Sequence, residues 1–215
     1  MTSGPPPSFL QIELLSDATF SRGEGAAGFV DTEVERDEFG MPYIGGRTVH
    51  GLLRDSWLSM SRHFPALEDA AEHVLGRSQA VEDSCRLRIG DAILPAAITA
   101  AVRGAAERAE YPLAPGTILG GFTSIRYQTA EDRETGAPDV TTLRSSRVVL
   151  RGFVFEAGLS WLDGYRPSAD DVRLLALCAL ATRHGGLLRN RGRGHIRMTL
   201  DGDIEATRRY AEGTP

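Results

Sequence analysis

The stretch Pro167–Leu200, PSADDVRLLALCALATRHGGLLRNRGRGHIRMTL, carries half of the fold in readable form. Ser168 followed three residues later by Asp171 stands in capping-box position at a helix start. Val172, Leu175, Ala176, Ala179 and Leu180 recur on one helical face and predict its buried stripe. Gly185 and Gly186 stop that helix. Beyond a second glycine-rich segment, Ile196, Met198 and Leu200 alternate with His195, Arg197 and Thr199, which predicts a final strand with a basic polar face.

Working outward, the same patterns recur nearer the N-terminus. Leu10, Ile12 and Leu14 alternate with Gln11 and Glu13, so residues 9–15 read as a half-buried strand. Ser21–Gly28, with Gly23, Gly25 and Gly28, reads as a loop that a ligand can approach, and Asp37–Gly46 reads as turns around Gly40 and Pro42. From Thr48, the apolar residues Val49, Leu52, Leu53, Trp57 and Met60 predict a helix to about His63. A short helix over 69–75 and a strand over Cys85–Leu94, ending in a turn at Asp91–Ala92, come next. Ala96–Glu110 is helical by propensity but poorly anchored. Thr123–Thr129 and Arg147–Leu162 are rich in β-branched and aromatic residues, with turn material over Asp132–Pro138. They predict a protruding hairpin that returns into a core strand near Phe153, Phe155, Leu159 and Trp161. The order strand, helix, strands, helix, strand is that of an α+β, ferredoxin-like (RRM-like) core. We therefore expect one domain over 1–215, with a core of about 9–120 and 151–200, an inserted helical segment, and a hairpin of about 121–150.

A chain of 215 residues with 41% hydrophobic and 25% charged residues fits an ordinary globular domain, and excludes collagen, a disulfide scaffold and wholesale disorder. Its longest apolar run, Leu174–Ala181, is far short of the roughly 20 residues needed to cross a bilayer. Met1–Ser8 has three prolines and no basic residue, unlike a secretory or transit peptide. A cytoplasmic protein with no membrane partner is expected, and Cys85 and Cys178 read as reduced and structural.

A net charge of −5 argues against nonspecific coating of nucleic acid. All 24 basic residues are arginine, a bias that nucleic-acid contact or a GC-rich genome would each produce. Arg144, Arg147 and Arg151 lie in one acid-free stretch, and Arg183, Arg189, Arg191, Arg193 and Arg197 in another with His184 and His195. These predict two basic patches, opposite acidic runs at Asp31–Glu38 and Asp69–Glu72. Gly185–Gly194 offers glycines that admit a ligand, amides that cradle anions and arginines that grip phosphate. A capped helix followed by a surface loop would explain its glycines, though not its arginines. It is no dinucleotide fingerprint, because here a helix precedes and a strand follows. At Pro42–Arg54, the pair Gly45–Gly46 opens a helix and predicts free N–H groups for an anion, with Arg47, His50 and Arg54 in reach.

These residues carry a resemblance. Pro42–Arg54 is similar to the signature helix start of the RAMP superfamily, the repeat-associated mysterious proteins of CRISPR systems, and Gly185–Gly194 resembles that family's glycine-rich loop. Gly28-Phe29-Val30-Asp31, with Arg36-Asp37 and Pro42, resembles the matching stretch of the repeated backbone subunit of type III effector complexes. Thr123–Arg133 resembles its thumb hairpin, and Gly90-Asp91-Ala92 its strand-end turn. The resemblance spans about residues 9–200. One departure is His50, which stands where the family usually has lysine.

What the resemblance implies is a subunit that polymerises along a CRISPR RNA, its thumb wedging between guide and target. The implied partners are that guide, a target single-stranded RNA, copies of itself and other effector subunits including the large polymerase-like one. In catalytic members a loop aspartate supports divalent-metal-dependent cleavage beside each thumb, and that aspartate falls on Asp31, which would also be the ligand of the metal, Mg²⁺ being expected. Arg47, His50, Arg54, Arg126, Arg144, Arg147, Arg189, Arg191 and Arg193 are the candidate RNA contacts. Two alternatives stand beside this: a noncatalytic structural subunit, and a standalone RNA-processing endonuclease using His50 or His195 as general acid or base.

Overall fold

The computed structural model describes residues 5–21, 30–77, 84–131, 138–162 and 164–213, with the backbone alone at 130–131 and 138–141. The expected loop at 22–28 and the hairpin tip at 132–137 lie outside these residues.

Strand β1, Phe9–Leu14, buries Leu10, Ile12 and Leu14 on one face, as its alternation requires. It pairs antiparallel with β5, Val154–Trp161, on one side and with β6, Ile196–Leu200, on the other. Strand β2, Leu87–Ile93, adds to the free edge of β5 and gives the order β2-β5-β1-β6. With α1, Gly46–Met60, between β1 and β2, and α5, Ala169–Ala181, between β5 and β6, this is the ferredoxin-like core. The buried faces of Leu53, Trp57, Leu174, Leu175, Phe155 and Met198 join in one hydrophobic cluster. Helix α2, Glu68–Leu75, packs against α5. Among the described residues no helix is long and apolar enough to cross a membrane.

The predicted capping box is formed: Ser168 accepts from the Asp171 amide while the Asp171 carboxylate takes the Ser168 N–H at 2.7 Å. Asp171 is fully buried, and its oxygens are satisfied further by the Tyr165 hydroxyl at 2.6 Å and by Nδ1 of His73 on α2 at 3.1 Å. Burial and that carboxylate push the Tyr165 hydroxyl far above its ordinary range. Both cysteines are buried thiols outside any disulfide among the described residues, Cys85 donating to the Val74 and Leu87 carbonyls, and burial pushes the Cys178 thiol up to about 12, as suits a packing residue.

The hairpin ends near residue 150, as expected: Arg147–Val149 closes β4, Pro138–Val149, and a turn at Arg151–Gly152, with Gly152 at φ +88°, leads into the core strand β5. β4 pairs with β3, Thr123–Glu131, as a separate two-stranded hairpin. Asp91 lies at a bulge within β2, between Ile89 and Ala92, rather than in a turn at its end. Thr199 is buried opposite Gln11, which the Gly202 turn approaches, so the basic face of β6 reduces to Arg197 among its exposed positions. Helix α3 spans Ala96–Ala106 with no fully buried residue. Two further helices escape the periodicity: α4, Pro115–Phe122, whose three glycines mask it, and α6, Ile204–Glu212, capped by Asp203 beyond the last expected strand.

Candidate nucleic-acid interface

The short segment Ser16–Phe20, which follows β1, gathers three distant parts of the chain by backbone pairing. Ala18 exchanges hydrogen bonds with Val149 at the root of the hairpin, and the Phe20 carbonyl accepts from Glu35. The Thr19 carbonyl accepts from Leu187, and the Asp17 carbonyl accepts from Gly194. The side chain of Asp17 adds the Arg126 guanidinium at 2.8 Å and the Arg151 amide at 3.1 Å. Asp31 and Thr32, the middle of the hairpin and the glycine-rich loop therefore meet around one cleft of about 450 Å³. Asp31, Thr32, Gln128, Arg144, Leu188 and Arg191 are among its walls.

Asp31 is exposed, yet it is held. Its Oδ2 accepts from the Ser145 amide at 2.6 Å and the Ser145 hydroxyl at 3.1 Å, while its own N–H donates to the Ser145 carbonyl at 3.1 Å. The Ser145 amide first, then its hydroxyl, hold the carboxyl below the usual carboxylate range; burial opposes them and Arg144 adds a lesser pull, so Asp31 is ionised at neutral pH. Among the described residues, Oδ1 has no hydrogen-bond partner.

The glycine-rich loop is anchored at its neck and exposed at its tip. Gly185 is buried against Leu52, Phe20 and Ile196, and its N–H donates to the Gly194 carbonyl at 2.8 Å. Leu188 sits at φ +60°, a strained conformation for a leucine, on the cleft wall. Arg191 is exposed beside it, and Arg193 reaches back to the Ser146 hydroxyl at 2.9 Å.

The candidate arginines divide by partner. Arg144 and Arg191 line the Asp31 cleft with no carboxylate at ion-pair distance among the described residues, the charge of Arg144 being felt by Asp31. Arg147 pairs with Glu33 at 2.8 Å and is only 17% exposed, and Arg189 lies 3.5 Å from Asp55 on α1. With Arg126 on Asp17 and Arg197 on Glu13, the acid-free runs in sequence become partly neutralised in space. Arg47, His50 and Arg54 line a second cleft of about 390 Å³ with Arg77 and Arg88, which shares no wall residue with the first. There Arg54 donates to the carbonyls of Leu75 and Gly76 at the end of α2.

The anion pocket expected at Gly45–Gly46 is filled from within. The Gly46 amide donates to Asp91 at 2.7 Å, aimed there by the bulge in β2, and the Gly45 amide donates to Glu35 at 3.3 Å. His195 stacks on His184 with centroids 5.1 Å apart and lines a third cleft with Arg183, Arg197 and Arg208. Asp17 and Ser145, which organise the first cleft, carry no sequence signal: one follows a strand and the other lies in a serine pair.

Among the described residues no group of three or more His, Cys, Asp or Glu side chains is placed to hold a metal ion. Asp31 offers one ionised carboxylate beside the neutral oxygens of Thr32 and Gln128, which fits a hard cation that completes its shell with phosphate oxygens.

A family model of the RAMP superfamily matches residues 11–197. Among solved structures, a chain of the Type III-B Cmr-beta assembly seen in its apo state by cryo-electron microscopy is similar, with TM-score 0.64 and 13% identity over 92% of this chain and 98% of that one. A chain of the same assembly bound to cognate target RNA gives TM-score 0.63 and 13% identity, covering 90% and 98%. Comparison with curated proteins finds no match.

Proposed function

The chain belongs to the RAMP superfamily, and from that premise we propose that it is a CRISPR RNA-binding backbone subunit of a type III effector complex that cleaves complementary target RNA at regular intervals. The observation that carries the reading is the convergence of Asp31, the middle of the hairpin and the glycine-rich loop on one cleft. Arg144 and Arg191 supply charge-assisted contacts to phosphate, and the exposed Tyr127, in register with Ser145 on the hairpin, offers a face for an unpaired base. Asp31 stands ionised beside them. A divalent cation, Mg²⁺ by the hardness of the donors, would be held by Asp31 and RNA phosphate oxygens and would neutralise charge at the scissile phosphate.

A noncatalytic structural subunit is the second reading, and one observation favours it: the bonds of Asp31 to Ser145 give the acid a purely structural use. Neither His50 nor His195, the candidates for a standalone endonuclease, lines the Asp31 cleft.

The test is reconstitution with guide RNA and the partner subunits, followed by incubation with complementary RNA and divalent metal. Regularly spaced cleavage products from an RNA-threaded assembly are expected. An assembly that binds target without cutting it, or that cuts as well with its Asp31 charge removed, selects the structural reading, and a monomer that cuts repeat hairpins selects the standalone enzyme.

Salt dependence separates the arginines. Arg191→Ala should reduce the log–log slope of guide binding against salt by about 0.7 to 0.9, and adding Arg193→Ala should bring the total to no more than about two. Filter binding over a potassium chloride series checks it, and an unchanged slope removes the loop tip from the phosphate path.

A further inference from the structure

Ser145 is bound to the acid of the cleft more closely than any other residue described here. Its amide and hydroxyl converge on one carboxylate oxygen, Oδ2 of Asp31, at 2.6 and 3.1 Å. Its carbonyl takes the amides of Asp31 at 3.1 Å and Thr32 at 3.3 Å, and the Thr32 carbonyl closes the ring by accepting from Arg147 at 2.9 Å. Both acid oxygens would otherwise rotate freely about χ2, since Asp31 is exposed. In the hairpin register Ser145 stands directly opposite Tyr127, which is 65% exposed.

We propose that Ser145 is a positioning residue for Asp31: it locks Oδ2 to the hairpin, leaves Oδ1 as the oxygen that meets the target backbone, and thereby fixes the point of cleavage relative to the hairpin. This rests on the reading of Asp31 as the acid that supports cleavage. A single strand contact would restrain the loop alone. The double donation to one oxygen restrains the carboxylate plane, which is the coordinate a reacting phosphate senses.

The test uses the assembled complex with guide RNA. Ser145→Ala keeps the amide bond and removes the hydroxyl, and should lower the single-turnover rate of target cleavage about tenfold, with target affinity and thermal midpoint unchanged. Ser145→Thr, which restores a hydroxyl, should return the rate to within about threefold of the parent. With the bound target held uncut, by a 2′-deoxy sugar at the cut site if the 2′-hydroxyl attacks or by rapid freezing if water does, electron paramagnetic resonance should show the half-saturating Mn²⁺ concentration rising several-fold in Ser145→Ala. A parental rate and parental Mn²⁺ saturation would overturn the proposal, as would a loss that threonine fails to rescue or that target affinity and melting share. Asp31→Ala run in parallel separates the two readings: if it cuts like the parent, the cleavage reading fails and this inference with it, whereas an inactive Asp31→Ala beside a normal Ser145→Ala sinks the role of Ser145 alone.

Discussion

Asp31→Ala in the assembled complex should lower target-RNA cleavage at least a hundredfold while leaving guide binding and assembly within about twofold of the parent. The argument rests on charge and place. Asp31 is the carboxylate on the cleft wall, its proton affinity is held down by Ser145 and Arg144, and it stands bonded to the hairpin in the cleft that Leu188 and Arg191 of the glycine-rich loop also line. Alanine also breaks the bonds to Ser145, so Asp31→Asn is the sharper variant. Its side-chain oxygen still accepts from the Ser145 amide, and only the charge is gone. If the acid serves cleavage, the asparagine variant is as inactive as the alanine one. If it is a structural peg, asparagine cuts normally and alanine loses hairpin order, which hydrogen exchange over 143–147 detects.

The core was legible in the chain because its signals are local. A period-two strand at Leu10–Leu14, a capping box at Ser168 and Asp171, and the 3.6-residue stripe through Val49, Leu53 and Trp57 each depend on neighbours within one or two turns. The cleft was legible only in part, because what assembles it is nonlocal. Ser16–Phe20 has no composition that marks it, yet its backbone joins the hairpin, the Asp31 segment and the glycine-rich loop. The arginine patches are thinned for the same reason. Arg147 finds Glu33, and Arg197 finds Glu13, each more than a hundred residues away in sequence, so a run without acids is no measure of field in space. The glycine pair at Gly45–Gly46 reads in sequence as an empty anion site, and two carboxylates of the same chain, Asp91 and Glu35, occupy it. Local rules gave the helix terminus; only the sheet bulge could tell what fills it.

Gly194→Ala should lower the stability of the chain by about 3 kcal/mol or more, a fall in melting temperature of roughly 6–12 °C for a domain of this size. Gly194 sits at φ +68°, where a side chain costs about 1 kcal/mol by itself, and a Cβ there would overlap the Gly185 carbonyl, which is backbone and has nowhere to yield. The same residue closes the neck of the loop, its carbonyl taking the Gly185 amide and its amide reaching Asp17 at 2.9 Å. Gly192→Ala is the control. It shares the left-handed backbone at φ +77° but faces open space, so it should cost about 1 kcal/mol and melt within a few degrees of the parent. The contrast reaches the interface as well. Opening the neck moves Arg191 away from the cleft wall, so Gly194→Ala should weaken guide binding even at temperatures where the variant remains folded, and Gly192→Ala should not. Equal melting temperatures for the two variants would mean that the neck is not the clamp the backbone pairing describes.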